Sequence, residues 1–180
     1  DRTLKEGLLI TTAAATAVYR AVKKICGIDL GIKWVNDLYL HDRKVCGILT
    51  EAVTDFESGN IEFAVVGIGL NLYVPEDGFP EDIQETAGAL FENRKDAEHI
   101  NCSILVAEIA NQLLMEVETP GLSREYTENN IIPGNMIVIA DGARTREAYA
   151  EAIASDGRLL VREQDGSETL LSYGEVSVRR

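Results

Sequence analysis

Apolar and polar positions follow three different patterns along the chain. An Ala/Leu-rich run ends at Gly27, and Thr3 and Glu6 stand ahead of it as T-x-x-E. That combination predicts a capping box, one long helix and a glycine stop. The small side chains Ala13, Ala14, Ala15, Ala17 and Ala21 allow this helix to pack closely on a sheet. After Gly31 the spacing changes to alternation, with Ile32 and Trp34 on one face and Lys33 and Val35 on the other. We read a strand there, a turn at Asn36-Asp37, a short strand over 38–40, a polar hairpin at His41-Asp42-Arg43 and a returning strand over 45–53. Residues 61–72 form a third apolar run, rich in β-branched side chains, which predicts a strand buried on both faces. A turn-rich loop follows. Ile104, Leu105, Ile109, Leu113, Leu114 and Val117 then recur at helical spacing, predicting a second long helix over 100–117 that covers the sheet.

Asn129-Asn130 and Pro133-Gly134 form a breaker cluster that divides the chain into 1–131 and 132–180. Beyond it, short alternating segments are separated by Asp141-Gly142, Asp156-Gly157, Asp165-Gly166 and Tyr173-Gly174. Asp-Gly is a strong two-residue hairpin signal, so this end reads as a small, independent five-stranded β-barrel. The expected fold class is α+β: a mixed, mainly antiparallel sheet covered by two long helices, followed by a small all-β barrel.

Composition narrows the setting. The 180 residues are 46% hydrophobic and 26% charged, close to the globular average, which excludes wholesale disorder. The longest apolar stretch, 63–70, is too short to cross a bilayer, and no leader pattern opens the chain. Cys26, Cys46 and Cys102 form neither C-x-x-C nor an even set, so a reducing cytoplasm is the expected setting. The net charge of −13 argues against nucleic acid or an anionic membrane as a partner of this segment. The charge is uneven: +3 over residues 1–50, −14 over 51–131 and −2 over 132–180. An anionic small substrate would be met in the first fifty residues.

Several chemistries lack the necessary residues. There is no G-x-x-x-x-G-K-[ST], so no P-loop. Gly67-Ile68-Gly69 gives G-x-G, but Leu72 stands where a dinucleotide fingerprint needs its third glycine. Two histidines, His41 and His99, supply neither a metal site nor a catalytic triad, and no metal ligands are assigned. Three stretches remain. Lys33 lies inside an apolar strand, where it either meets an anion or turns to water; spacing alone leaves both open. Gly47, Gly67 and Gly69 interrupt apolar strands, as a bulge, tight packing or the close approach of a ligand would require. Asn36-Asp37 reads equally as turn chemistry, and Asn71 as a turn former or an amide facing a base edge.

Together these stretches resemble the biotin protein ligase family, which carries K-W-P-N-D, then R-K-x-x-G-I-L-x-E in a hairpin, then G-x-G-x-N. Here they read Lys33-Trp34-Val35-Asn36-Asp37, Arg43-Lys44-Val45-Cys46-Gly47-Ile48-Leu49-Thr50-Glu51 and Gly67-Ile68-Gly69-Leu70-Asn71. The resemblance implies the biotin–lipoate ligase fold, related to class II synthetases, and ATP-dependent activation of biotin to biotinyl-5'-AMP. Biotin would then pass to a lysine of a biotin carboxyl carrier protein. The same resemblance implies Lys33 as the catalytic cation, with Lys33, Leu38, Gly47, Gly67, Ile68 and Gly69 around biotin. Asn36, Asp37 and Asn71 would lie at ATP, and Mg2+ would accompany the nucleotide. A homodimer is possible within the family. Within the family the small barrel assists ATP or carrier binding, which points to Arg144 and Arg146.

Two departures stand out. Val35 replaces the usual proline, which should relax the turn. The family's Gly/Arg-rich loop and early biotin-binding segment precede the first helix and are not in this sequence. It therefore reads as the C-terminal part of a ligase, inactive alone. A lipoate ligase or octanoyltransferase relative, or a non-catalytic interaction module, are the alternatives.

Overall fold

Residues 7–55, 57–58, 60–141, 144–172 and 175–178 are described in a computed structural model of the protein. The expected capping box at Thr3 and Glu6 lies outside them. Helix α1, Gly7–Cys26, is buried on several sides through Ala13, Ala14, Ala15, Ala17, Val18, Ala21 and Val22. Its small side chains let the backbone approach the sheet closely, while Val18 and Val22 supply the apolar area. Burying a valine of this kind is worth about 1.5–3 kcal/mol. Thr12 and Thr16 are buried too, and their hydroxyls donate back to the helix carbonyls of Leu9 and Thr12. Gly27 ends the helix with φ +71°, its N–H donating to the Lys23 carbonyl.

The first sheet contains β1 (Gly31–Lys33), β2 (Asp37–Leu40), β3 (Arg43–Thr54) and β4 (Ile61–Leu70), antiparallel and in that spatial order. His41 and Asp42, with φ 48° and 65°, make the tight two-residue turn between β2 and β3. Ile32, Leu38, Cys46 and Ile48 face α1 and join Ala14, Val18 and Val22 in one core. The segment after α3 (Arg124–Glu128) runs parallel to β1: Ile32 N–H donates to the Asn129 carbonyl and Ile131 N–H to the Ile32 carbonyl.

Two expectations change here. Strand β4 is not buried on both faces, because among the described residues a helix meets only one face of the sheet. Phe63 and Val65, on the other face, are 52% and 56% exposed. Helix α2, Cys102–Glu118, capped by Asn101, lies on α1 rather than over the sheet. Ala21, Ile100 and Leu105 form the seam, and Arg20 bridges Glu116 and Glu125 while Lys24 pairs with Glu108. The apolar seam receives the stripe through Leu105 and Ile109, with the ion pairs beside it. Ile104 and Leu114, which the helical stripe directs at the sheet, are 55% and 62% exposed.

The second sheet joins β5 (Met136–Asp141), β6 (Arg144–Ile153), β7 (Leu159–Arg162), β8 (Glu168–Leu171) and β9 (Glu175–Val178) in the order β8-β7-β6-β5-β9. All five strands contribute to one core through Ile137, Ala148, Leu159, Val161, Leu171 and Val176. Gly157 and Gly166, at φ +84° and +85°, sit at the turns that the Asp-Gly pairs specify. Gly142 and Gly174, of the remaining two turns, lie outside the described residues.

The close fit of α1 gives a direct expectation. Ala14→Leu should lower the unfolding free energy by about 1–3 kcal/mol through overpacking, with the far-UV dichroism retained. Urea denaturation measures it.

Candidate functional site

Strand alternation and a bulge early in β3 set the exposed face of the first sheet. Lys33 pairs with Asp37 across β1–β2, Asp37 with Gly47 across β2–β3, and Gly47 with Gly69 across β3–β4. Directly opposed residues share a face, so these four form one row on the side away from α1. A second row pairs Leu49 with Gly67. Farther along lie Val53, Phe63 and Val65, exposed apolar side chains continuing from the glycines.

Lys44 reaches this row through a shift in register. Tyr39 pairs with Lys44 and Leu38 with Cys46, so Val45 is an extra residue on β3. Such an extra residue puts the side chains on its two sides onto opposite faces. Without it Lys44 would share the α1 side with Cys46. With it, the Lys44 ammonium stands 2.6 Å from Asp37 Oδ1, an oxygen shut off from solvent. Gly47 supplies the room: a Cβ there would lie 3.0 Å from Lys44 Cε and 3.2 Å from Nζ. The half-buried Lys33 ammonium lies 5.6 Å from the centroid of the Tyr39 ring.

Gly67 and Gly69 have a different reason to be glycine. A Cβ at either would meet only a strand carbonyl at 3.8 Å, an ordinary contact, and neither has positive φ. Neither backbone conformation nor packing within the sheet demands glycine there. Both leave bare backbone on the exposed face, beside the two lysines.

The other site residues anticipated from sequence are distributed as follows. Leu38 and Ile68 are not brought to this face; Leu38 is fully buried in the α1 core and Ile68 packs against it. Asn36 clamps the hairpin, donating from Nδ2 to the Ile48 carbonyl at 2.7 Å and accepting from Ile48 N–H at 2.9 Å. Asn71 Nδ2 donates to the Gly88 carbonyl at 2.8 Å, and its own carbonyl accepts from Leu90 N–H. It thereby staples the 74–92 loop to the sheet. Arg43 secures the same loop by donating to the carbonyls of Gln84 and Ala87. Between loop and hairpin lies an open cleft of about 660 Å³, lined by Leu40, Arg43, Val74, Phe79, Gly88 and Phe91. Arg146 pairs with Glu163, and the side chain of Arg144 lies outside the described residues.

Sequence reasoning missed Lys44 as a site residue, since only the bulge re-aims it. It also took Trp34 as a neighbour of Ile32 on one strand face. The turn over 34–36 instead sends the indole into the second core. Among the described residues no three His, Cys, Asp or Glu side chains are grouped to hold a metal ion. The carboxylate in the lysine row, Asp37, is committed to Lys44, so these residues do not fit a protein-held magnesium. Among the described residues no helix is long and apolar enough to cross a membrane.

Residues 3–71 match the model of the Biotin/lipoate A/B protein ligase family. The bifunctional ligase/repressor BirA of Escherichia coli is 32% identical over 170 residues, 88% of this chain and 49% of that protein. The biotin–[acetyl-CoA-carboxylase] ligase of Mycobacterium tuberculosis is 27% identical over 180 residues, 93% of this chain and 61% of that protein. The chain thus matches 49% and 61% of the length of these two curated relatives. In fold it is similar to biotin protein ligase from Aquifex aeolicus in its apo form, with a TM-score of 0.76 at 20% identity over 98% of this chain and 77% of that one. The structure of the same Aquifex protein in complex with biotin and ATP aligns with a TM-score of 0.70 at 22% identity, covering 100% of this chain and 73% of that one.

Two outcomes follow from the geometry. Gly47→Ala should keep the fold, because the Lys44 chain end can move, but open the Asp37–Lys44 pair. Acetylation of Lys44 should then quicken while the melting temperature stays within a few degrees. Burial, reinforced by the Asp37 charge, pushes the Cys46 thiol up to about 12. The unfolded thiol titrates near 8.5, so stability from burying the neutral thiol is intact below that pH and is lost as pH rises toward the folded value. Between about pH 8 and pH 10 the unfolding free energy should fall more steeply in the wild type than in Cys46→Ala.

Proposed function

We propose, from the match of residues 3–71 to the Biotin/lipoate A/B protein ligase family model, that this chain is a member of that family and supplies the lysine-bearing part of a biotin–[acetyl-CoA-carboxylase] ligase site. The single observation that supports this most is the bare Gly47–Gly69 strip beside Lys33 and Lys44. It offers a backbone floor with a cationic end and an apolar continuation, which suits an apolar body ending in a carboxylate. The parent reaction joins the biotin carboxylate to the α-phosphorus of ATP, releasing pyrophosphate. A lysine amine of a carboxyl carrier protein then attacks the acyl carbon, and AMP leaves.

The first step brings two anions together. A fixed ammonium between them lowers that repulsion where water is excluded, and losing such a donor costs on the order of 3–4 kcal/mol. Lys33 is assigned this task. Lys44 neutralises Asp37 in the same row, so that carboxylate does not offset the Lys33 charge. Gly47, Gly67 and Gly69 line the acyl slot, while Leu38 and Ile68 support it from behind. Asn36 and Asp37 hold the hairpin toward the nucleotide, and Asn71 sets the loop that borders the 660 Å³ cleft, where the adenine end is assigned. Magnesium belongs to this scheme as part of the MgATP substrate. The three free cysteines suit a reducing cytoplasm.

The 180 residues alone are proposed not to label a carrier, because they span only about half of their relatives and lack the family's Gly/Arg-rich loop. Without closure the adenylate would hydrolyse. Incubation with ATP, biotin and a carrier domain should leave the carrier unmodified, and efficient labelling would overturn this. A non-hydrolysable biotinyl-adenylate analogue should nevertheless bind, as read by calorimetry. Lys33→Ala should weaken it by roughly tenfold or more at unchanged melting temperature, since a charge-assisted hydrogen bond is worth about 1.5–3 kcal/mol. Preference for the lipoyl analogue would move the assignment to the lipoate branch, and binding of neither would leave an interaction module.

A further inference from the structure

Lys33 is the last residue of β1, and the three residues after it are held by three different parts of the molecule. The Trp34 indole, 3% exposed, enters the core of the second sheet, where its Nε1–H donates to the Gly157 carbonyl at 2.9 Å. The Val35 carbonyl accepts from the hydroxyl of Tyr126, a fully buried side chain of α3, at 2.9 Å. Asn36 is tied to Ile48 of β3 in both directions.

The Gly157 turn is itself wedged. A Cβ on Gly157 would lie 3.4 Å from Leu8 and Thr12 of α1, so the turn between β6 and β7 sits against α1 on one side and Trp34 on the other. Ile153, at the end of β6, packs against both the α1 core and the second core. The second sheet therefore does not stand apart as an independent barrel: its core includes a residue from the hairpin that carries Lys33.

From this we propose that the five-stranded sheet is a positioning element for Lys33, with Trp34 and Tyr126 as positioning residues. The Gly157 turn fixes the indole, the indole fixes the start of the 34–36 turn, and that turn fixes where the Lys33 side chain leaves the sheet. The inference rests on the ligase reading only for what Lys33 does, and not for where it is held. Neither Trp34 nor Tyr126 points its side chain into the exposed face, so neither is assigned contact with substrate.

The test uses the 180-residue chain and two readouts. The first is the NMR signal of the Lys33 Cε group, assigned by its loss in Lys33→Arg. The nearby Tyr39 ring shifts it, and Tyr39→Leu removes that shift. The second is affinity for the biotinyl-adenylate analogue. Trp34→Phe keeps an aromatic ring in the core and deletes the Nε1–H. It should keep the chain folded, move the Lys33 signal toward that of a free lysine, and weaken the analogue about tenfold.

Leu105→Ala, in the α1–α2 seam, is the stability control: it should lower the melting temperature and leave the Lys33 signal in place. Tyr126→Phe should act as Trp34→Phe does, and it decides the matter if Trp34→Phe fails to fold. An unmoved Lys33 signal in the folded variants overturns the proposal, as does an equal movement in Leu105→Ala. If the wild type binds no analogue, the ligase reading fails, and the Lys33 signal still decides the positioning claim.

Discussion

Everything about the site depends on α1 sealing one face of the β1–β4 sheet. Strand side chains alternate, so once Ile32, Leu38, Cys46 and Ile48 are committed to the α1 core, their neighbours are committed to the other face. Lys33, Asp37, Gly47 and Gly69 are those neighbours. A slip of one residue would bury two charges and expose the core, a cost far beyond any local preference. The helix thus fixes the chemistry of a face it never touches.

The same sheet shows how a small irregularity re-aims a side chain. The extra residue at Val45 costs β3 one regular pairing and turns Lys44 to the face away from α1. It also brings Lys44 and Asp37 together over Gly47, a position where any larger residue would push the ammonium aside. Gly67 and Gly69 work in the opposite sense. Nothing in the sheet requires them, and what they provide is space outside it. Glycines that the fold needs are thereby separated from glycines it merely tolerates, and the latter leave bare backbone on the face away from α1.

Charge is arranged on a larger scale as well. The acidic middle of the chain is not simply solvated surface: Glu108, Glu116 and Glu125 pair with Lys24 and Arg20 on the outer side of α1. These partly exposed pairs contribute little stability individually. The apolar seam of Ala21, Ile100 and Leu105 holds α2 on α1, and the pairs from Glu108 and Glu116 match its flanks. The lysine row is left facing outward, unshielded by the acidic helix.

The sequence by itself determined the long first helix, the hairpin of β2 and β3, the run of short strands after Pro133-Gly134, and the three motifs. Each is written in local signals: a glycine stop, alternation, Asp-Gly turns and ordered spacing. It left open which way Lys33 faces and why Gly47 and Gly69 are glycine; the strand register put them with Asp37 in one row. Only the tertiary structure decided the rest. Helical periodicity says that α2 has an apolar stripe, not whether a sheet or another helix receives it. Parity assigns Lys44 to the wrong face, because a bulge is a property of two strands and not of one. Trp34 sits beside Ile32 in the sequence pattern yet fills a different core, since a turn ends the alternation that the pattern assumes to continue. In each case the deciding partner lies far away in the chain, and a one-dimensional pattern contains no distance to it.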